Sequence, residues 1–208
     1  MNNEIVFYFN PRSRAQMAHW MLEEVGAPYR TVLIDFEKGE HKTPEFLAIN
    51  PMGKLPTITC DGVVVTETAA IIAFLADRFP KAGLAPATDD PQRGAYFRWL
   101  FFGAGCIEPS LADRMFQRPD IRKSTLGYGS YEDVQNTLKQ ALATGPYLLG
   151  ERFTGADLYV GSEIYWAGMI GAPGYKGEPV FDRYLARLAE RSAYKRSIVE
   201  DAKAFAKK

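Results

Sequence analysis

A leucine stands directly before a proline, Leu55-Pro56, at the head of a run from Thr57 to Cys60 that reads as a β-strand. X-Pro is the one bond type for which the cis form costs as little as ~0.5–1 kcal/mol. A cis bond here turns the Leu55 amide and carbonyl toward solvent, where an extended peptide can pair with them as an added strand. Val63 to Thr66 follows across Asp61-Gly62, a two-residue hairpin signal. Glu67 and Thr68 then open a helix, whose free N–H groups and dipole favour an anion. Taken singly, each piece is an ordinary turn or cap. Together at this spacing they describe a place for a peptide carrying a carboxylate and an amine at one end. Thr68 and the helix amides face the carboxylate, and Glu67 faces the ammonium.

The surrounding pattern supplies a fold for that motif. Ile5 to Phe9 is β-branched and aromatic, bounded by Asn10-Pro11, and reads as a buried strand. Ala15, Ala18, Met21, Leu22 and Val25 recur at helical spacing, with Gly26 where a C-terminal cap belongs. Tyr29 to Ile34 reads as the next strand, which a helical crossover sets parallel to the first. Thr43 and Pro44 start a short helix, and Glu67 to Phe79 forms a longer one stopped by Pro80. The order β-α-β, short helix, β-β-α predicts a thioredoxin-like domain with a four-stranded mixed sheet over residues 1–80. Residues 81–90 carry no period and read as a linker. From 91 to 208 the patterns are helical, capped first by Asp90 before Pro91, and predict an all-α domain.

Charge and composition exclude several classes. Lys+Arg and Asp+Glu number 25 each, so no net field favours nucleic acid or an anionic membrane. No apolar stretch approaches the ~20 residues of a membrane span. Met1 to Glu4 lacks the basic and apolar regions of a signal peptide. The two cysteines, Cys60 and Cys106, lie far apart, which suits a reducing cytoplasm better than a disulfide scaffold. Neither stands near the first helix's start, where a thioredoxin-type redox cysteine must lie, so a dithiol oxidoreductase is excluded. His19 and His41 show no metal-ligand spacing, and no metal is expected.

Over nearly its whole length the chain resembles the cytosolic glutathione S-transferase family, of the bacterial type with a serine- or cysteine-like active site. The segments that carry the likeness are Pro44-Glu-Phe-Leu-Ala-Ile-Asn-Pro51, Gly53-Lys-Leu-Pro56, Glu67-Thr-Ala-Ala-Ile71 and Phe153-Thr-Gly-Ala-Asp-Leu158. The resemblance implies glutathione as co-substrate, bound by Leu55 backbone, Glu67 and Thr68 with cis Pro56 shaping the site. Thr68 stands where family members most often have serine, and it keeps the hydroxyl. The resemblance also implies a homodimer, a small hydrophobic electrophile as second substrate, and the chemistry of detoxification. Glutathione-dependent peroxide reduction and a non-catalytic glutathione- or partner-binding module are the alternatives. Thr154 and Asp157 have a structural role in the family, and a Thr-x-x-Asp capping-box variant agrees with it.

A free thiol of pKa near ~8.5 needs help to ionise at neutral pH. In the family that help comes from a residue between the first strand and first helix, here within Tyr8-Phe9-Asn10-Pro11-Arg12-Ser13-Arg14. Ser13 is the first choice, assisted by the helix dipole and Arg12. Asn10 is the second, since an alignment anchored on Arg14-Ala15 puts the active serine of another branch there. Tyr8 is the third. All three stay open, as does plain capping of a helix whose first position is Pro11. His41 and Lys42 precede the short helix and either meet glutathione's glycine carboxylate or form solvated surface. Phe101, Phe102, Cys106, Met115, Tyr165 and Trp166 are candidates for the second-substrate pocket, although an aromatic stripe at helical spacing usually packs into a core.

Overall fold

The computed structural model describes residues 4–119 and 122–206. Two compact units divide the chain: Met1–Gly83 together with Ser192–Lys208, and Leu84–Arg191. The first contains β1 (Ile5–Phe9), α1 (Ala15–Val25), β2 (Tyr29–Leu33), α2 (Pro44–Ile49), β3 (Thr57–Cys60), β4 (Val63–Thr66) and α3 (Thr68–Arg78). Its sheet runs β2-β1-β3-β4. β1 is parallel to β2, and the pairs β1/β3 and β3/β4 are antiparallel. This is the thioredoxin-like arrangement expected from the element order. Ile5, Phe7, Phe9, Met21, Leu22, Ile58, Ile71, Ile72 and Leu75 are buried between sheet and helices. Each fully buried side chain of this size contributes roughly 1.5–3 kcal/mol.

Helix α1 starts at Ala15, where its periodicity begins, and not at Pro11 as the capping alternative has it. Residues 11–14 form a turn, in which the Asn10 side chain accepts from the Arg12 N–H (2.8 Å) and the Ser13 N–H donates to the Asn10 carbonyl (3.2 Å). A side-chain acceptor that competes for backbone N–H groups delays a helix. The end of α1 is as expected: Gly26 takes φ 66° and its N–H donates to the Leu22 carbonyl (3.1 Å).

The last helix departs from the expected division at residue 91. α9 (Ser192–Ala206) belongs to the first unit and packs on α1. A chain of polar contacts joins them. His19 Nδ1 lies 2.5 Å from Asp201 Oδ1, and His19 Nε2 lies 2.7 Å from the Tyr29 hydroxyl. That hydroxyl donates to Glu23 Oε1 (2.8 Å), and Arg196 Nε donates to Glu23 Oε2 (2.8 Å). Trp20 and Tyr194 stack edge-on at 4.7 Å. Burial raises the Asp201 carboxyl, and the His19 hydrogen bond draws it back down. Buried polar groups persist only when paired, so this chain of contacts requires α9 to dock where it does.

The second unit contains α4 (Arg93–Phe102), α5 (Glu108–Met115), α6 (Tyr131–Leu142), α7 (Gly155–Met169) and α8 (Pro179–Ala189). α4 begins at Arg93 rather than Pro91, because Asp90 Oδ1 first accepts the Gln92 N–H (2.8 Å) in a preceding turn. A π-helical turn, Gly103–Ile107, joins α4 to α5. Pro109 has no N–H, and its ring would crowd the carbonyl four residues back, which the wider turn moves aside. α7 is anchored by Asp157, fully buried. Its carboxylate accepts from the Thr154 N–H (2.8 Å), the Thr154 hydroxyl (3.0 Å), the Leu148 N–H (2.7 Å) and the Tyr184 hydroxyl (3.0 Å).

Candidate glutathione site

Strand register gathers the motif at one end of the sheet. Tyr8 lies opposite Thr57, and Thr57 lies opposite Thr66. The chain leaving β1, the chain entering β3 and the chain leaving β4 therefore stand side by side. Leu33, at the end of β2, pairs with Phe9 at the end of β1, which brings the following loop to the same end. Ser13, Leu55 and Glu67 thus project from adjacent strands whose spacing is ~4.8 Å. The span from β4 to β1 is about two such spacings, close to the ~10 Å reach of an extended tripeptide.

Two of these segments, the one entering β3 and the one leaving β4, carry polar groups that have no partner among the described residues. The Leu55–Pro56 bond is cis. Among the described residues, the Leu55 N–H and carbonyl make no hydrogen bond. Glu67 caps α3 with φ 66° and ψ 123°, and its exposed carboxylate makes no side-chain cap bond. The first α3 amide to find a carbonyl is Ile71, which donates to Glu67 (2.9 Å), so the amides of Thr68, Ala69 and Ala70 stay open. Thr68 is buried beside them. A helix start with three open amides and a dipole end suits an anion, and the carboxylate one residue earlier suits a cation.

The loop before Leu55 is tightly held. Asn50, 2% exposed, donates through Nδ2 to the Lys54 carbonyl (2.9 Å) and to Thr57 Oγ1 (3.0 Å), and accepts the Met52 N–H through Oδ1 (3.1 Å). Thr57 Oγ1 donates to the same Lys54 carbonyl (3.1 Å). Neither side chain was a site candidate from sequence, although Asn50-Pro51 lies in a segment that carries the family likeness. Gly53, at φ 60°, allows the neighbouring loop to close in: a Cβ there would stand 2.5 Å from the His41 carbonyl and 2.8 Å from Lys42 Nζ. Lys42 Nζ donates to the Met52 carbonyl (2.9 Å). The His41 ring meets Phe36 edge-on at 5.0 Å, and its buried Nδ1 has no hydrogen-bond partner. His41 and Lys42 therefore flank the Leu55 loop.

The three candidates near α1 differ in what they already hold. Asn10 is 2% exposed; its Nδ2 donates to the Ile34 carbonyl (2.8 Å) and its Oδ1 holds Arg12. Asn10 is a clasp between β1 and the end of β2. Ser13 is half-buried, with Oγ donating to the Asn10 carbonyl (2.8 Å) and accepting the Ala15 N–H (3.2 Å). Arg12 reaches Glu37 at 3.4 Å. Tyr8 is half-buried within β1, its ring against Phe46 at 5.7 Å.

In the second unit, core packing does not account for three of the pocket candidates. Phe101 is 71% exposed, Tyr165 50% and Met115 39%, joined by Phe116 at 86% and Met169 at 67%. Phe102, Cys106 and Trp166 are half-buried. Burial pushes the Cys106 thiol up, away from thiolate character. Cys60 is a buried free thiol in β3. Among the described residues, no cluster of His, Cys, Asp and Glu is arranged to hold a metal, and no helix is long and apolar enough to cross a membrane.

Comparison with known proteins agrees with this arrangement. Residues 12–78 match the family described as glutathione S-transferase, N-terminal domain. Glutathione S-transferase 2 of Schizosaccharomyces pombe is 30% identical over 169 residues, 77% of this chain and 71% of that protein. The disulfide-bond oxidoreductase YfcG of Escherichia coli is 30% identical over 166 residues, covering 74% and 76%. The crystal structure of a glutathione transferase, URE2P6 of Phanerochaete chrysosporium, in complex with oxidised glutathione superposes with a TM-score of 0.79. It is 25% identical and covers 97% of this chain and 98% of its own. With its β2-β1-β3-β4 sheet, its open α3 terminus and these relatives, the chain belongs to the glutathione S-transferase family.

Proposed function

We propose that the protein is a glutathione S-transferase, which activates the thiol of glutathione for conjugation to a hydrophobic electrophile. The observation that carries this reading is the row of unpaired polar groups at one sheet end: the Leu55 amide and carbonyl, the α3 amides and the Glu67 carboxylate. Glutathione's cysteinyl main chain pairs with Leu55. Its γ-glutamyl carboxylate takes the α3 amides and Thr68, and its ammonium takes Glu67. His41 and Lys42 flank the glycine carboxylate. The thiol then lies toward the start of α1, where Ser13 is the activator. Its hydroxyl turns from the Asn10 carbonyl to donate to the thiolate, and the α1 dipole adds to the stabilisation. Asn10 is the weaker choice, since its amide already holds Ile34 and its oxygen holds Arg12. In the reaction the thiolate sulfur forms a bond to the electrophilic carbon. The leaving group departs with its electron pair, or an epoxide ring opens and takes a proton from water.

Phe101, Met115 and Tyr165, exposed on the second unit, are assigned to the electrophile together with Phe102, Cys106 and Trp166. The working form is a cytoplasmic homodimer, with no metal, nucleic acid or membrane partner. Glutathione titration beside a conjugation assay with aryl halides, epoxides and isothiocyanates tests the reading. Saturable binding with glutathione-dependent turnover is expected. Binding without turnover on any of them leaves only a binding module. Absence of binding removes the reading altogether.

The name of the Escherichia coli relative favours disulfide reduction as a second activity of the same site. Cys60 is buried and Cys106 lies in the other unit, so the reductant is glutathione itself. Two glutathione thiols are oxidised to one disulfide while the substrate disulfide is reduced to two thiols. An assay with a small mixed disulfide separates this activity from conjugation.

A further inference from the structure

We infer that Asn50 and Thr57 are positioning residues for glutathione's main chain, acting through the Lys54 carbonyl. The inference rests on the transferase reading and extends it to two side chains that do not touch the ligand. A trans peptide unit is planar, and its N–H points opposite to its C=O. The Lys54 carbonyl and the Leu55 N–H belong to one such unit. Asn50 Nδ2 (2.9 Å) and Thr57 Oγ1 (3.1 Å) both donate to that carbonyl and hold it against the buried side of the loop. The Leu55 N–H is thereby directed away from the protein, toward an incoming strand.

The clasp is rigid for three reasons. Asn50 is 2% exposed and Thr57 0%, so solvent does not compete for either donor. Both hydrogens of the Asn50 amide are used, the second on Thr57 Oγ1 (3.0 Å), and that contact aims the threonine's own proton at Lys54. The Asn50 main chain is fixed too, its N–H on the Phe46 carbonyl and its carbonyl accepting from Gly53, each at 2.8 Å. A free loop would lose this orientation before binding and recover it on binding, at a cost in affinity.

Three variants test the inference: Thr57→Val, which keeps the branched shape in β3, Thr57→Ser, which keeps the hydroxyl, and Asn50→Asp, which keeps the Met52 acceptor but removes both donors. Glutathione affinity is measured by titration, with KM and kcat in the conjugation assay and melting temperature alongside. Thr57→Val is expected to weaken glutathione binding about 3- to 10-fold, through the loss of one of the two hydrogen bonds that hold the Lys54 carbonyl. KM for glutathione rises by the same factor, while kcat at saturating glutathione and its pH profile hold, because the thiol end is unaltered. Asn50→Asp weakens binding at least as much, and Thr57→Ser restores wild-type affinity. A fall in melting temperature with glutathione affinity unchanged in Thr57→Val overturns the positioning role and leaves the transferase reading standing. A fall in kcat without a change in KM overturns it equally. If the wild-type protein itself fails to bind glutathione, the transferase reading falls and the positioning role falls with it.

Discussion

Two helix starts in this molecule use similar residues to opposite ends. α7 begins with Thr154 and carries Asp157 in its first turn; α3 begins after Thr66 with Glu67 and Thr68. At α7 the acid stands three residues inside the helix and reaches back, and its carboxylate collects four donors in full burial. At α3 the acid occupies the cap position itself, in a backbone conformation rare for a residue with a side chain, and points outward. The first terminus is closed and the second is open. A helix end closed by its own side chains contributes stability, and one left open is available to a ligand. The placement of the acid relative to the cap separates the two, not the presence of capping residues.

The largest effect is expected at the closed end. Asp157→Ala leaves the Leu148 and Thr154 amides without an acceptor in a dry interior, and the Tyr184 hydroxyl with only the residue-157 main-chain carbonyl (3.2 Å). Breaking a buried charged network of this kind costs roughly 3–5 kcal/mol. Urea unfolding followed by circular dichroism measures it, and a loss below ~1 kcal/mol would show that α7 does not depend on this closure. Ser13→Ala comes next and acts chiefly on rate, with a smaller loss of stability because Ser13 Oγ also accepts the Ala15 N–H. Removing the one donor proposed for the developing anion costs up to roughly 10²- to 10³-fold in turnover, with glutathione affinity retained. The sign of its pH dependence follows from the thiol. In the proposed mechanism the wild type lowers the bound thiol's pKa, so that thiolate is already present at neutral pH. The alanine variant gains thiolate only as pH climbs toward ~8.5, and its deficit shrinks there. Full activity in Ser13→Ala at neutral pH, with loss in Asn10→Ala, would transfer the activator role to Asn10.

Features set by neighbouring residues were readable before the structure. The Asp61-Gly62 hairpin, the Gly26 cap and Thr43 capping α2 through its hydroxyl (3.4 Å to the Phe46 N–H) are all local chemistry. The positions of Leu55 and Glu67 at one sheet end followed from the element order, because register leaves little choice once β3 and β4 form a hairpin. The site's support was not readable. Asn50-Pro51 belongs to a segment that carries the family likeness, yet nothing in it marks Asn50 as reaching a carbonyl four residues on. The docking of α9 depends on His19 meeting Asp201 across 182 positions of sequence, a pairing no periodicity encodes. The exposure of Phe101 and Tyr165 was also hidden, since helical spacing of aromatics looks the same whether or not another element covers them.

Glu67→Ala tests the open end directly. It removes the proposed partner of the ligand's ammonium, a charge-assisted contact of roughly 1.5–3 kcal/mol, so glutathione affinity falls about one to two orders of magnitude. Melting temperature should hold, since the carboxylate makes no bond among the described residues. Unchanged glutathione binding in this variant would show that the open end of α3 is not where the peptide docks.

Glu67→Gly carries the smallest expected effect and the opposite sign to Asp157→Ala. The glutamate sits at φ 66° and ψ 123°, a conformation that costs a residue with a Cβ about 1–3 kcal/mol. Glycine adopts it freely but brings a more flexible unfolded chain, a penalty of roughly 0.5–1 kcal/mol. The difference leaves a net gain near ~1 kcal/mol, which for a chain of this size raises the melting temperature by about 2–4 °C. Alanine keeps the Cβ and the strain, so Glu67→Ala should show no such gain, while both variants lose glutathione alike. Scanning calorimetry of the two side by side separates backbone strain from lost charge. A stabilised glycine variant that no longer binds glutathione would mean that the open terminus is held open at the expense of stability. A glycine variant no more stable than alanine would mean that the Glu67 conformation carries no such expense, and that only the position of the carboxylate distinguishes α3 from α7.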